Sequence, residues 1–416
     1  MGTQTDMALL EVGAQRRRPD RAGQVRETAG EYRHRGRRRA SSIPRIAHRP
    51  LAGRLVGALQ GYKPPSRTER IAETGHCMPY AARRIWNPAM YQGGRVSDRY
   101  FEGWYYKLVD AAGSRSLSLI PGISFSPDHG ARHAFVQVVP SGGTAHYFSF
   151  PAEEFMAKSS SPFAVRVGPS VFSQDGIKLD INDGERSIRG ELSFRGWTPW
   201  PVRPLSPGIM GPFRFVPGME TYHGVLSMDH EVAGWLSLDG ETISFAGGRG
   251  YTEKDWGRSF PSSWIWAQSN TFETTGTSLM LSVAKIPWMT GSFVGSIAGL
   301  LHDGELHRFA TYTGAKVRCI ETGENEAHVI LGDRREELEV HLTGCATLIL
   351  KAPVLGAMEG HDAESLGGTL DVTLRSVRGG RAAVVYRGVG RQAGIEIMNH
   401  HDELGRSPCG NGSTVA

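Results

Sequence analysis

Short apolar runs separated by Gly, Pro, Asp and Asn make up most of the chain from Tyr100 onward. Segments such as "YFEGWYYKLVD", "SLSLIPGISF" and "HAFVQVV" have the length and the aromatic and β-branched content that are typical of strands. Turn sequences also occur, including "NDG" at 182–184 and "LDGE" at 238–241. Because long helical patterns are scarce, the pattern predicts an all-β body with at most a short helix or two.

The body resembles two related halves. The series "GWYYKL", "LSLIPGI" and "AFVQVV" has an echo in "SWIWAQ", "MLSVAKIP" and "FVGSIAGLL". A tandem pair of antiparallel β-barrels accounts for this echo, since closing a sheet removes its exposed edges. We place the first barrel at 78–215 and the second at 216–416. The Pro- and Gly-rich segment 196–224 lies between the halves and is either a lid or cavity wall, or a packed linker.

The net charge of +5 is distributed unevenly along the chain. Residues 1–77 contain fifteen Arg and one Lys against seven acids, a balance of about +9, which leaves about −4 for the rest. The body therefore has no basic stripe suited to nucleic acid. The Arg-rich leader at 1–77 lacks the apolar core of a secretory signal, and we expect it to be disordered. Alternatively, translation begins at Met78 and the leader is not made.

Four longer motifs resemble the tocopherol cyclase family over roughly residues 86–400. They are "WNPAMYQGG" at 86–94, "RYFEGWYYKL" at 99–108, "METYHGVLSMDHEVAGWLSLDG" at 219–240 and "GGRGYTEKDWGRSFPSSWIWAQSNTF" at 247–272. The resemblance implies two lipocalin-like (calycin) barrels in tandem, in agreement with the two halves. It also implies a distant similarity to carotenoid 1,2-hydratases.

The activity that the resemblance implies is the ring closure of a prenylated (phytyl) quinol, as in vitamin E biosynthesis. Protonation of the prenyl double bond gives a tertiary carbocation, which the phenol oxygen traps as a chromanol. This is an intramolecular lyase of the isomerase class, and because no redox change occurs, no cofactor and no metal are implied. The excess of Arg over Lys suggests a GC-rich bacterial genome, so the substrate could be another prenylated aromatic.

Alkene protonation requires a strong acid that stays neutral until it is used. A carboxyl group buried among aromatics has a raised pKa, because desolvation disfavours its charged form. Asp255 fits this description best, and Glu253, two positions away, is the alternate acid or the group that positions Asp255. Tyr251 could hydrogen-bond to the acid or to the quinol, and His223 could take the phenolic proton or orient the acid. Each also has a structural interpretation, as a turn residue or a hydrogen-bonded core residue.

Substrate binding is assigned to the aromatic and polar residues of the same motifs. Their π-faces could stabilise the carbocation, or they could simply pack the core. Glu102 could instead form a buried salt bridge with Arg99 or Lys107. The assigned residues are Trp104, Tyr106, Glu102, Trp256, Trp264, Trp266, Gln268 and Asn270.

Two other functions use the same apolar cavity: a non-catalytic lipocalin-like carrier of a hydrophobic ligand, and an isoprenoid hydratase. A carrier gains nothing from the carboxyl groups of Glu253 and Asp255, because buried unpaired carboxyls cost stability. The expected partner is a hydrophobic small molecule, with peripheral membrane contact at most. The four Cys are scattered without metal spacing, which predicts no disulfide framework and a cytoplasmic location.

Overall fold

Strands form nearly all of the regular structure in the computed structural model, which describes residues 80–94, 96–127, 132–158 and 162–405. The predictions for the leader at 1–77 and for a start at Met78 lie outside the described residues. One short helix, α1 (Tyr80–Arg83), precedes the strands, and 3₁₀ turns occur at Ala152–Glu154, Gly211–Phe215, Thr311–Thr313 and His400–Asp402. No described helix has the length and apolar content needed to span a bilayer.

The strands of the first part of the chain are β1 (Tyr100–Val109), β2 (Ser116–Phe125), β3 (Arg132–Pro140), β4 (His146–Pro151), β5 (Phe155–Ala157), β6 (Ala164–Val167), β7 (Ser170–Ser173), β8 (Gly176–Asn182) and β9 (Ser187–Arg195). They are followed by β10 (Val202–Arg203), β11 (Ser206–Pro207), β12 (Thr221–Leu238), β13 (Glu241–Ser244) and β14 (Gly248–Gly257). The remaining strands are β15 (Trp264–Ser269), β16 (Ser278–Trp288), β17 (Gly291–His302), β18 (Glu305–Ala310), β19 (Lys316–Thr322), β20 (Glu326–Gly332), β21 (Glu336–Thr343), β22 (Leu348–Val354), β23 (Ala357–Arg378) and β24 (Arg381–Met398).

β10 and β11 pair only with each other, and the other strands form two large antiparallel sheets. The first has the order β4-β3-β2-β1-β14-β12-β9-β8-β7-β6-β5, with β13 paired to β12, and the second has the order β18-β17-β16-β15-β24-β23-β21-β20-β19, with β22 paired to β23. Each sheet buries its own apolar core, around Trp104 and Phe172 in the first and Leu281 and Val340 in the second. The prediction of an all-β chain made of two successive antiparallel units is therefore confirmed.

The chain changes sheets between β14 and β15. This change of sheet occurs later in the chain than residues 215/216, where the sequence predicts the boundary between two domains. The domain boundary itself stays a prediction. The change of sheet divides the Trp-rich motif at 247–272, because Glu253 and Asp255 belong to the first sheet and Trp264 and Trp266 to the second. A third apolar cluster joins the two sheets, with Tyr251 packed among residues that include Trp264 and Trp266.

A buried ion pair connects the two central strands of the first sheet. The Nζ of Lys254 on β14 lies 2.5 Å from Oε1 of Glu102 on β1, and neither side chain is exposed to solvent. Glu102 also accepts hydrogen bonds from the backbone N–H groups of Gln92 and Gly93, and Lys254 donates to the carbonyl oxygens of Pro88 and Met90. The pair thus anchors the segment 86–94 on the sheet.

This pairing corrects the expectation that Glu102 would bond Arg99 or Lys107. Successive residues of a strand point to opposite faces, so Lys107 lies on the other face of β1 from Glu102. There its Nζ donates to the side-chain oxygen of Gln268 at 2.9 Å.

We expect the Lys254→Met substitution to reduce the free energy of unfolding by about 3–5 kcal/mol, because it leaves the Glu102 carboxylate buried and unpaired. Urea denaturation followed by Trp fluorescence measures this loss. The matched control is Glu241→Gln, since Glu241 pairs with Arg115 at the surface, where its side chain is 63% exposed. The control should cost about 0–1 kcal/mol, and an equally small cost for Lys254→Met would contradict the anchoring role.

Candidate active site

A largely apolar cavity of about 180 Å³ lies between the two sheets. The first sheet contributes β1, β2, β3, β12 and β14, and the second contributes β15, β16, β17, β22, β23 and β24. Its apolar lining includes Phe101, Tyr105, Ile120, Phe135, Phe260, Trp264, Trp266, Ile286, Ile297, Leu350 and Met358. Met210 and Met219 of the segment 196–224 also line it, so this segment forms part of the cavity wall.

Three titratable residues of the first sheet meet in this cavity. His223 and Asp255 are cross-strand partners on β12 and β14, and Glu253 lies two positions from Asp255 on the same face. The Nδ1 of His223 is 2.8 Å from Oδ1 of Asp255, and its Nε2 is 3.5 Å from Oε2 of Glu253. The imidazole therefore lies between two carboxyl groups, and its Nε2 is buried without a hydrogen bond to a described residue.

Glu253 is the more buried of the two acids, with a side chain 6% exposed against 22% for Asp255. Its Oε2 accepts hydrogen bonds from the Tyr251 hydroxyl at 2.5 Å and from Trp266 Nε1 at 3.3 Å. Burial raises the pKa of Glu253 to about 7, against the opposing influence of His223. Because Oε2 already accepts both hydrogen bonds, the acidic proton of Glu253 is placed on the other oxygen, Oε1.

His223 carries a positive charge at neutral pH. Burial alone would lower the pKa of the imidazole, but the charges of Asp255 and Glu253 and the hydrogen bond to Asp255 raise it to about 9. Asp255 therefore serves as the counter-ion that keeps His223 protonated and orients its ring.

A second group of acids lies on the second sheet, and sequence reasoning missed it. Asp362 and Glu396 line the cavity, and Asp362 and Glu364 are buried. Asp362 is hydrogen-bonded to Glu396, while Glu364 accepts a hydrogen bond from the Tyr105 hydroxyl and is the cross-strand partner of Glu396. The signal in the sequence is an acid within an apolar strand, as in "GIEIM", where Glu396 stands between two Ile.

Burial accounts for the electrostatics of this second group. It raises the pKa of Asp362 to about 6, that of Glu364 to about 8 and that of Glu396 well above its ordinary value. Burial also lowers the pKa of Lys107, the nearby amine, to about 7. Glu364 and Glu396 are consequently neutral at neutral pH, because an apolar surrounding disfavours every charge.

The structure brings together some of the residues predicted for the site. Asp255, Glu253 and His223 line the cavity together with Trp264 and Trp266. Tyr251 lies just behind them, because its hydroxyl bonds Glu253.

Four other predicted residues lie on the opposite face of the same strands. Trp104 and Tyr106 belong to the core of the first sheet, and Glu102 and Trp256 surround Lys254. Within the described part of the chain they are not among the residues that line this cavity, so the structure does not bring them together with the acids, and their role in substrate binding stays a prediction. The physical reason is the alternation of side chains along β1 and β14.

Gln268 and Asn270 face the first sheet but lie beyond the cavity. The side-chain oxygen of Gln268 accepts a hydrogen bond from Lys107, and Asn270 donates to Asp229 and to the carbonyl oxygen of Gly250. They connect the two sheets through these hydrogen bonds, and their role in substrate binding also stays a prediction.

Two clusters have the donor types and spacing of a metal site. His223, Glu253 and Asp255 form one, and His328, Glu339 and His341 form the other, each with ligand atoms within 4.8 Å of one another. In the first cluster the ligand atoms already bond one another, Tyr251 and Trp266. In the second, Glu339 also bonds Arg375 at 2.5 Å.

Comparisons with known proteins agree with the resemblance found in the sequence. Residues 199–398 match the family model described as "Tocopherol cyclase-like". The chain is 25% identical over 248 residues to a probable chloroplastic tocopherol cyclase of Oryza sativa subsp. japonica, covering 56% of this chain and 50% of that protein. It is 26% identical over 223 residues to the chloroplastic tocopherol cyclase of Zea mays, covering 50% of this chain and 45% of that protein. The chain thus spans about half the length of the curated relatives it matches.

Among solved structures, the chain is similar to the crystal structure of CghA with Sch210972. The TM-score is 0.47 and the identity 13%, over 72% of this chain and 88% of that one.

We expect the Asp255→Asn substitution to lower the pKa of His223 by about 1–3 units, because the carboxylate that stabilises the imidazolium is lost while burial continues to disfavour the charge. A pH titration of the His223 imidazole by NMR measures this change. Asp180→Asn, on the exposed outer part of β8, is the control and should leave the pKa of His223 near 9. If His223 titrates identically in both variants, Asp255 is not its counter-ion.

Proposed function

We propose, from the match of residues 199–398 to the tocopherol cyclase-like family model, that the chain catalyses the ring closure of a prenylated quinol to a chromanol. The reaction is an isomerisation within one molecule, so the enzyme would be an intramolecular lyase that works without a redox cofactor. The apolar cavity suits a hydrophobic substrate.

One observation carries this proposal: a carboxyl group with a raised pKa faces an apolar cavity between two sheets. Glu253 combines near-complete burial with a pKa of about 7, so a large fraction of it is protonated at neutral pH. Such a group can deliver a proton to a carbon atom of an alkene, and a buried acid of this kind is a typical general acid.

The neighbours of Glu253 then have distinct roles. Tyr251 and Trp266 donate to Oε2 and so direct the acidic proton on Oε1 away from themselves. The positive charge of His223 stabilises the carboxylate that remains after the proton has left. Asp255, expected from the sequence to be the acid, holds His223 in place, and His223 cannot serve as the base because it is already protonated.

The carbocation formed by protonation needs protection from water. Trp264, Trp266 and Tyr105 present aromatic rings to the cavity, and such rings stabilise a positive charge. If water reached the carbocation, the carbocation would add water and form an alcohol, and the phenol oxygen would not trap it. Exclusion of water therefore determines whether the protein acts as a cyclase or as a hydratase. A carrier would bind the same ligand without protonating it.

We expect the parent protein to convert a phytylated quinol to a chromanol of unchanged mass under anaerobic conditions. Glu253→Gln should reduce the rate at least about 100-fold, because it removes the proton donor but keeps the shape of the side chain. Mass spectrometry identifies the product, and Glu241→Gln, a surface substitution of the same type, should retain the parent rate.

The other products distinguish the alternative functions. A product heavier by one water identifies a hydratase. If the parent binds the quinol and related prenylated phenols but leaves all of them unchanged, the chain is a carrier.

The rate should decrease as the pH rises above about 7. Glu253 acts in its protonated form, and because its pKa is about 7, the active fraction falls about tenfold per pH unit well above that value. His223, whose pKa is about 9, stays mostly protonated to about pH 8, and its deprotonation above that value lowers the rate further. A pH profile of kcat measures this decrease, and a rate that rises between pH 7 and 9 would exclude Glu253 as the acid.

A further inference from the structure

We propose that Asp362 on the second sheet is the base that binds the reacting hydroxyl of the substrate and accepts its proton, with Glu396 as its positioning residue. This inference rests on the proposed function, since it supplies the proton acceptor that ring closure requires. It also assigns the substrate an orientation, with the double bond at Glu253 on the first sheet and the phenolic hydroxyl at Asp362 on the second.

The first argument is an unsatisfied oxygen. Asp362 is only 3% exposed, and its Oδ1 is buried without a hydrogen bond from an N–H group or a hydroxyl of any described residue. A buried acceptor without a partner is costly in free energy, and Asp362 lines the cavity. A hydroxyl group of a bound ligand would satisfy this oxygen.

The second argument is the hydrogen bond between the two carboxyl groups. Asp362 and Glu396 bond each other, and such a bond requires a proton on one of them. Glu396 also accepts a hydrogen bond from Trp264 Nε1 at 2.7 Å through Oε2. The pair therefore holds one proton and one negative charge, as expected for two acids that share a site.

The free oxygen points to Asp362 as the acceptor. Burial raises the pKa of both carboxyl groups, that of Asp362 to about 6 and that of Glu396 well above its ordinary value. The pair shares one proton, and Asp362 is the member with a buried oxygen that is open to a further donor. Glu364, on the same strand as Asp362, is neutral at neutral pH because burial raises its pKa to about 8.

The proton balance of the reaction is then complete. Glu253 gives its proton to one carbon of the prenyl double bond, and the neighbouring carbon becomes a cation. The phenol oxygen forms the C–O bond to that carbon, its O–H bond breaks, and the proton passes to Asp362. After the product leaves, Glu253 regains a proton from water and Asp362 loses one to water, so the enzyme returns to its initial state.

The test is the binding of two substrate analogues that cannot react. Both are quinols with a saturated phytyl chain, and in one of them the hydroxyl next to the chain is replaced by a methyl ether. The parent protein should bind the free hydroxyl at least about tenfold more tightly, because only this compound can donate to the Asp362 carboxylate. Isothermal titration calorimetry measures both affinities.

The Asp362→Leu variant should lose this preference, and its kcat with the unsaturated quinol should fall at least about 100-fold. Glu359→Gln is the matched control, because it removes an exposed carboxylate from the same strand, and it should keep both the preference and the rate. Thermal unfolding checks that each variant is folded. If Asp362→Leu does not fold, Asp362→Asn takes its place and should show a reduced preference, since a neutral amide oxygen is a weaker acceptor.

The results separate this inference from the proposed function. If the preference depends on Asp362 but no chromanol forms from the unsaturated quinol, the hydroxyl site stands and the proposed function is wrong. If chromanol forms and Asp362→Leu retains both the preference and the rate, the function stands and Asp362 is not the base. Equal binding of the two analogues by the parent protein also overturns the inference.

Discussion

The buried ion pair between Lys254 and Glu102 is the constraint on which the candidate site depends. It holds the central strands β1 and β14 with Lys254 turned into the first sheet. Because neighbouring residues of a strand point to opposite faces, this orientation turns both Glu253 and Asp255 towards the cavity. A shift of one residue in the pairing of β14 would exchange the two faces, placing Lys254 in the cavity and the two acids in the core.

The second property of the site is the separation of its charges between two sheets. His223 with its two acids belongs to the first sheet, and the pair of Asp362 and Glu396 belongs to the second. Each group contains a neutral acid and a charged member, and the protein surface around them is mostly apolar. In such surroundings electrostatic interactions are stronger than in water, so small displacements of the sheets relative to each other would alter the proton affinity of both groups.

The amino-acid sequence predicts much of this arrangement. Alternating apolar runs indicate the all-β fold and its two halves, and the acids beside aromatics at 253–266 identify one wall of the cavity. The direction of each side chain is harder to predict, because it depends on the pairing of strands far apart in the chain. Trp104 and Trp256 are examples, because the sequence predicts them to bind substrate. In the structure both rings lie near the ammonium group of Lys254, on the face of the sheet away from the cavity.

The acids of the second sheet were missed for a different reason. Asp362 and Glu396 have no aromatic neighbours in sequence, and the only local signal is the pair of Ile residues on either side of Glu396. Only the pairing of β23 with β24 brings them together, and only the approach of the first sheet removes them from water. Sequence therefore predicts the acids on the first sheet's wall of the cavity but not those on the second sheet's wall.

Two different parts of the chain supply the titratable residues of the cavity and part of its apolar lining. All five titratable residues of the proposed chemistry, from His223 to Glu396, lie within the segment 199–398 that matches the family model. The side chains of β1–β3 that line the cavity beside β14 in the first sheet, such as Phe101, Ile120 and Phe135, come before this segment. Substitutions in β1–β3 could consequently change which prenylated ring fits while leaving the proton-transfer residues intact. Relatives with the same reactive groups could thus diverge in substrate through the amino-terminal strands alone.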